Sequence, residues 1–155
     1  MELRRFKEQD AAETAQVVAD TLRISNSSDY PPEYIDETIA AHNAAVLTER
    51  AQQGHTYVAC DGERIVGTGT IAPFWGSETE SILLTVFVLP EYQGRGIGRA
   101  IIETLEQDEY ALRARRIEIP ASLTAVQFYR HLGYDYKNGV TEPEDGSMYR
   151  LEKFR

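Results

Sequence analysis

The chain predicts an α/β fold of the α+β type: one mostly antiparallel mixed sheet with helices on both faces. Three observations carry this. Stretches alternating apolar and polar residues interleave with stretches of helical spacing from end to end, which mixes strands and helices within one unit. With 155 residues, 42% of them hydrophobic, the chain is the size of one domain that can bury a core. No repeat, linker or low-complexity tract divides it, so residues 1–155 are expected to form a single domain.

The elements follow in the order βααβββαβαββ. Leu3 and Phe6 alternate with polar neighbours as a short first strand. Asp10 followed by Glu13 reads as a helix start, with Val17, Val18 and Leu22 as its apolar side and a fade near Ser25. Pro31-Pro32 opens a second helix, because a first-turn proline pre-sets φ. Ile35, Ile39, His42, Val46 and Leu47 keep helical spacing up to a stop at Gly54. From residue 55 the period becomes two: Thr56 to Cys60 and Arg64 to Ile71 flank Asp61-Gly62, a turn pair that favours positive φ. Glu80 to Leu89 is rich in β-branched residues and reads as a central strand ended by Pro90. Residues 96 to about 110 form a helix with Ile97, Ala100, Ile101, Leu105 and Leu112 inward, then a strand Arg116 to Ile119 closed by Pro120. Ser122 caps a last helix bearing Ala125, Val126, Phe128, Tyr129 and Leu132, and Gly133 stops it before strands near Tyr134 to Lys137 and Ser147 to Glu152.

Composition removes several function classes. A formal charge of −9 argues against general affinity for nucleic acid, which rests on Lys and Arg neutralising phosphates. The single Cys60 allows no internal disulfide and reads as a small buried hydrophobe. His42, His55 and His131 stand apart, without metal or triad spacing, so no metal site is expected and the three are taken as structural or surface residues. The charged start Met1 to Lys7 and the lack of about 18 consecutive apolar residues argue against a signal peptide or membrane span. A cytoplasmic protein without membrane contact is the expectation. No G-x-S-x-G nucleophile turn occurs, so a covalent acyl-enzyme is not expected.

Chemistry concentrates at Val86-Phe87-Val88-Leu89-Pro90-Glu91-Tyr92-Gln93-Gly94-Arg95-Gly96-Ile97-Gly98-Arg99, a strand, a turn and a helix start. Three alternate glycines entering a helix whose first N–H groups lack internal partners form a cradle for an anion, with Arg95 and Arg99 adding charge. Arg99 stands where a dinucleotide fingerprint wants its third glycine, and no Lys-Ser or Lys-Thr follows as a nucleotide-hydrolase loop requires. A glycine turn with no ligand is the remaining plain alternative.

Gln93-Gly94-Arg95-Gly96-Ile97-Gly98 resembles the Q/R-x-x-G-x-G/A acyl-CoA signature of the GNAT superfamily of N-acyltransferases. The preceding Val86 to Tyr92 and the later Ala125 to Tyr134 are similar to that family's other recurring segments, and the order of elements agrees over nearly the whole chain. The resemblance implies acetyl-CoA as acyl donor, with its pyrophosphate on the backbone amides of Gln93, Gly94, Arg95, Gly96, Ile97, Gly98 and Arg99. It places the pantetheine arm along Val86 and Val88, with the Val86 amide facing the thioester carbonyl. Tyr129 matches the family's general acid, and a core aromatic is its bland alternative. Two positions depart from the family pattern. Ser122 replaces a frequent Asn at the helix opening and is expected to contact CoA through its hydroxyl, and Ile82 stands where some relatives carry a glutamate base. Glu80, two residues earlier on the same face, is then the candidate base acting through water, with surface charge as its alternative.

Because no G-x-S-x-G nucleophile turn is present, direct attack of an amine in a ternary complex is expected. Specificity is expected from Asn26-Ser27-Ser28-Asp29-Tyr30 and Pro73-Phe74-Trp75-Gly76, whose acidic and aromatic groups suit a cationic amine beside an apolar body. A small-molecule amine is the favoured acceptor, with a protein N-terminus or lysine second. A non-catalytic acyl-CoA sensor and a ligand-free interaction protein are the rival classes. A homodimer through an exposed strand edge is compatible with the chain.

Overall fold

The computed structural model describes residues 1–155. Strands β1 (Glu2–Arg5), β2 (His55–Asp61), β3 (Arg64–Pro73), β4 (Glu80–Val88), β5 (Arg116–Ser122), β6 (Asp135–Tyr136) and β7 (Met148–Phe154) form one sheet. Its order is β1-β2-β3-β4-β5-β7-β6, and only β4 and β5 run parallel. The helices are α1 (Ala11–Thr21), α2 (Pro32–Ala41), α3 (Ala44–Gln53), α4 (Ile97–Glu106), α5 (Glu109–Leu112) and α6 (Val126–His131). α1 runs on into a π-helical turn, Leu22–Asn26. α1 and α3 pack together over one face of β3 and its neighbours, and α4 covers the other. None of the helices is long and apolar enough to cross a membrane.

The predicted fold class is the observed one, and four local readings need correction. The long helix expected from Pro32 to Gly54 is two helices, because Asn43 leaves helical geometry and its Oδ1 accepts from Val46 N at 3.0 Å. Asparagine competes for backbone groups in this way, and the unbroken apolar spacing concealed it. The helix from residue 96 likewise breaks, at Asp108, whose Oδ1 accepts from Tyr110 N at 2.9 Å. Leu112, expected inward, is exposed beyond this break. Pro120 does not close its strand: β5 continues to Ser122, with Pro120 opposite Arg150. β4 has already left β5 by then, so the proline sits in a strand with one neighbour, where a missing N–H breaks no central ladder.

The main core is a cluster of 22 buried residues that includes Val58, Ile65, Ile71, Leu83, Ile101, Leu105, Ile117 and Leu151. Gly67 and Gly69 of β3 set the height of α4 above the sheet. A Cβ on Gly67 would lie 3.0 Å from Ile101 Cδ1, and one on Gly69 would lie 2.7 Å from Ile101 Cγ2 and 3.0 Å from Leu105 Cδ1. Bare glycines therefore let α4 sit directly on the strands and bring its N-terminus to the end of β4. A second cluster, Val18, Leu22, Tyr30 and Ile35, anchors the chain between α1 and α2.

Where β4 meets β5, charges replace apolar contacts. The Glu118 side chain is fully buried and takes hydrogen bonds from Arg116, from Lys137 Nζ at 2.8 Å and from Arg150 Nη1 at 3.0 Å. Arg116 also holds Glu80 at 2.8 Å and Glu152 at 2.7 Å, and lies 5.3 Å from the Phe74 ring. Burial alone would raise the Glu118 carboxyl, but its three cationic donors hold it below its ordinary 4.5. A depressed carboxyl pKa stabilises the fold above the unfolded-state value and loses that contribution as pH falls through the folded-state value. Chemical denaturation should therefore show stability falling below pH 4.5, and less steeply in Glu118→Gln. That variant should cost about 3 kcal/mol at neutral pH, because it leaves cations facing a neutral amide.

Candidate active site

β4 and β5 are paired only at Glu80↔Arg116, Ser81↔Ile117 and Ile82↔Glu118. Past Ile82, β4 bends away while β5 keeps its pairing with β7. The bend coincides with a β-bulge. Thr68 pairs with Phe87 and Thr70 with Leu84, so Thr85 and Val86 together oppose Gly69 and stand in neither ladder. The β5-facing edge of the rest of β4 thus has no strand partner and can pair with another extended chain by main-chain hydrogen bonds, apart from Val88 O, which side chains already take.

A cavity of about 630 Å³ opens into this gap. One wall is the end of β4, Val86 to Val88, and its floor is Tyr129 and Phe128 of α6. The glycine turn forms its mouth. Gly94 and Gly96 have φ of 77° and 80°, a region other residues rarely adopt, and Gly96 is the N-cap of α4. The helix accordingly opens on uncapped N–H groups at the cavity rim, where Arg99 also lies. Gly98 has a different reason to be glycine: a Cβ there would lie 3.0 Å from Phe128 Cζ, so the absence of a side chain lets α6 pack against α4.

The other side of the cavity comes from the end of α1. Thr21 Oγ1 donates to Val17 O and to Val88 O, at 2.7 and 3.2 Å. Gln93 Nε2 donates to Ser25 Oγ and Val88 O, both at 2.9 Å, which ties the glycine turn to the π-helical turn and to β4. Asn26, on that turn, is buried and also lines the cavity. Tyr30 spans the gap: its hydroxyl accepts from Leu123 N at 2.8 Å and donates to Ser147 O at 2.6 Å.

Tyr129 is 5% exposed, and its hydroxyl has no hydrogen-bond partner in the protein. Desolvation pushes its phenol well above the usual tyrosine range, so it remains a neutral proton donor at any physiological pH. Its ring is held edge-on by Phe128 and Tyr134, at 5.1 and 6.4 Å between centroids. Ser122 Oγ lines the cavity and accepts from Ala125 N at 3.1 Å, so it caps the turn before α6 rather than the helix itself.

Most of the residues singled out in the sequence meet here: Val86, Val88, Gln93, Gly94, Gly96, Gly98, Arg99, Ser122 and Tyr129 all line the one cavity. The Ile97 side chain turns into the core, and the Arg95 guanidinium stacks 4.8 Å above the Tyr92 ring, leaving only their main chains at the turn. Glu80 is a correction. It lies at the closed end of β4 with its carboxylate on Arg116, about 20 Å of strand from Val86, and does not reach the cavity. Pro73 to Gly76 lie at that closed end as well, with Trp75 92% exposed. Thr21, Ser25, Thr124 and His131 line the cavity without having been singled out for it; the first three stand in segments with no motif, and His131, within the Ala125 to Tyr134 segment, was taken as structural or surface.

Residues 17–134 match the Acetyltransferase (GNAT) family. The chain belongs to the GNAT acetyltransferase family and is an acyltransferase. No curated protein matches it significantly in sequence. Among solved structures it is similar to a GCN5-related N-acetyltransferase from Rhodopseudomonas palustris, with TM-score 0.81 and 25% identity over 99% of this chain and 95% of that one. The PaiA N-acetyltransferase of Thermoplasma acidophilum, in complex with coenzyme A, gives TM-score 0.84 and 19% identity over 99% and 98% of the two chains. An aminoglycoside 6′-N-acetyltransferase complexed with coenzyme A gives 0.70 and 19% over 99% and 97%. All three share the GNAT fold with this chain.

Gly98→Ala should lower stability by about 1 to 3 kcal/mol, because Phe128 must leave its place. Phe128→Leu in the same chain should return part of that loss in urea denaturation, and an additive double variant would contradict the packing explanation.

Proposed function

We propose that the protein is an N-acetyltransferase that uses acetyl-CoA to acetylate a primary amine, favouring a small-molecule amine, by direct attack in a ternary complex. The observation that carries the proposal is the coincidence of the parted strands and the glycine turn at one cavity. A bound acetyl-CoA supplies an activated acyl group on a thiol leaving group. The backbone amides from Gln93 to Arg99 would hold its pyrophosphate, with the Arg99 charge at the rim. The unpaired edge of β4 from Val86 to Val88 would hold the pantetheine arm as an added strand.

Val86 N–H would donate to the acyl carbonyl oxygen, a donor placed where negative charge grows as the amine attacks. Tyr129 O–H would give a proton to the departing sulfur. Burial keeps the phenol protonated, so its O–H is present to hydrogen-bond the departing sulfur, while the raised pKa makes it a weaker acid and leaves the transfer to be driven by the geometry of the bound sulfur. Ser122 would contact the same arm through its hydroxyl. Direct attack would need the amine's proton to leave to water or to His131, the one imidazole lining the cavity.

The favoured small acceptor is supported by the straps over the gap. Tyr30 bridges Leu123 and Ser147, and Thr124 Oγ1 donates to Asp29 Oδ2 at 2.6 Å, and these contacts between the chain after α1 and the chain after β5 favour a small acceptor. A thermal-shift comparison of acetyl-CoA, CoA and NAD tests the donor. The first two should raise the melting temperature and NAD should not, with about 2.7 kcal/mol of stabilisation at 100 times the dissociation constant. An amine panel read by thiol release tests the reaction. Tyr129→Phe should lower kcat about 10²-fold or more with little change in the KM for acetyl-CoA. Binding of CoA without turnover of any amine would instead identify a sensor.

A further inference from the structure

Thr85 has φ of 56° in the middle of β4. The other non-glycine residues with positive φ are Trp75, Asn138 and Asp145, all outside the strands, and Asn and Asp tolerate that region. A β-branched residue does not, so Thr85 keeps this conformation only if its surroundings impose it. On one side the constraint is the seat of α4 on Gly69, opposite the bulge. On the other side it is Arg50 of α3, whose Nη1 donates to Thr85 Oγ1 at 2.7 Å.

The Arg50 contact is unusual for an arginine. The side chain is partly buried, forms no ion pair, and directs its only side-chain hydrogen bond to this hydroxyl. A guanidinium brought out of water without a carboxylate gains little from the neutral bond alone, so the contact is not explained as an ordinary stabilising pair. What it does geometrically is fix the residue immediately before Val86. Val86 lines the cavity and, together with Thr85, stands outside both strand ladders.

We propose that Arg50 is a positioning residue: by clamping Thr85 in the left-handed conformation it aims the Val86 N–H at the acyl carbonyl. The proposal rests on the acetyl-CoA reading of the cavity. Arg50 touches neither donor nor acceptor and acts through the backbone of Thr85. Without the clamp, β4 relaxes toward regular strand geometry and the amide leaves its aim, while the glycine turn at the far side of the cavity is untouched.

Three variants separate this role from general stability. Arg50→Met keeps the apolar stem and removes the donor, Thr85→Val keeps the shape and removes the acceptor, and Thr85→Gly removes the steric penalty of positive φ. Two readouts need no amine acceptor. The three-bond HN–Hα coupling of residue 85 in the ligand-free protein reports φ, and the carbonyl resonance of bound [1-¹³C]acetyl-CoA reports the hydrogen bond from Val86. The wild type should move that resonance downfield on binding. Arg50→Met and Thr85→Val should each change the coupling toward its extended value and lose most of the downfield shift, while CoA still raises the melting temperature. The double variant Arg50→Met/Thr85→Gly should regain part of the shift, because glycine enters positive φ without the penalty the clamp opposes and the seat of α4 on Gly69 remains.

An Arg50→Met protein with wild-type coupling and carbonyl shift would overturn the proposal, as would a double variant that stays as poor as Arg50→Met. If Arg50→Met fails to fold, Thr85→Val against Thr85→Gly decides on the same readouts. Acetyl-CoA that binds the wild type without a carbonyl shift would overturn the clamp alone. Failure of CoA and acetyl-CoA to bind at all would remove the acyltransferase reading of the cavity and this proposal with it.

Discussion

The structure depends on one interrupted pairing: β4 and β5 are hydrogen-bonded for three residue pairs and then part. A seven-stranded sheet that remained closed there would be a sound fold with no room for a ligand in its middle. Parting leaves β4 beyond Ile82 without a strand partner on that edge, where Val88 O is taken by Thr21 and Gln93, and main-chain groups left without a partner are costly unless water or a ligand takes them. The rest of the molecule holds the two strands together at one end and apart at the other.

The closed end is held by charge. Arg116, Glu80, Glu118 and Glu152 lock β4, β5 and β7 to one another, with Lys137 and Arg150 completing the shell of Glu118. The open end is held by shape. Gly67 and Gly69 draw α4 down onto β3, Gly98 admits Phe128, and the bulge at Thr85 turns β4 away. Tyr30 then ties the chain after α1 to the ends of β5 and β7, and Gln93 ties the glycine turn to Ser25 and to Val88 of β4. Glycines thus serve two different ends in one site: Gly94 and Gly96 for backbone conformation, Gly67, Gly69 and Gly98 for close approach.

How much of this was legible in the sequence follows from the range of each interaction. The turn from Gln93 to Arg99 was legible because positive φ at Gly94 and Gly96 and an uncapped helix start are local properties. The strand before it and the helix bearing Tyr129 were legible through their periodicity. The break at Asn43 was not, since Ile39, His42 and Val46 continue the helical spacing across it. Nor was the left-handed Thr85, because a threonine within a β-branched run signals a regular strand and its constraint comes from Arg50, distant in the chain. The role of Glu80 failed for the same reason. Its partner Arg116 is 36 residues away, and an acid on the right face of a strand gives no sign of how far along that strand the chemistry lies.

The central claim is that the gap between β4 and β5, with the glycine turn at its mouth, is where acyl-CoA binds. A titration of ¹⁵N-labelled protein with CoA, followed by amide resonances, tests it most directly. Saturable shifts are expected at Val86 to Val88, Gln93 to Arg99 and Ser122 to Tyr129, with Glu80, Arg116 and Glu118 at the closed end left in place. Shifts centred elsewhere, or none at these residues under saturating CoA, would contradict it.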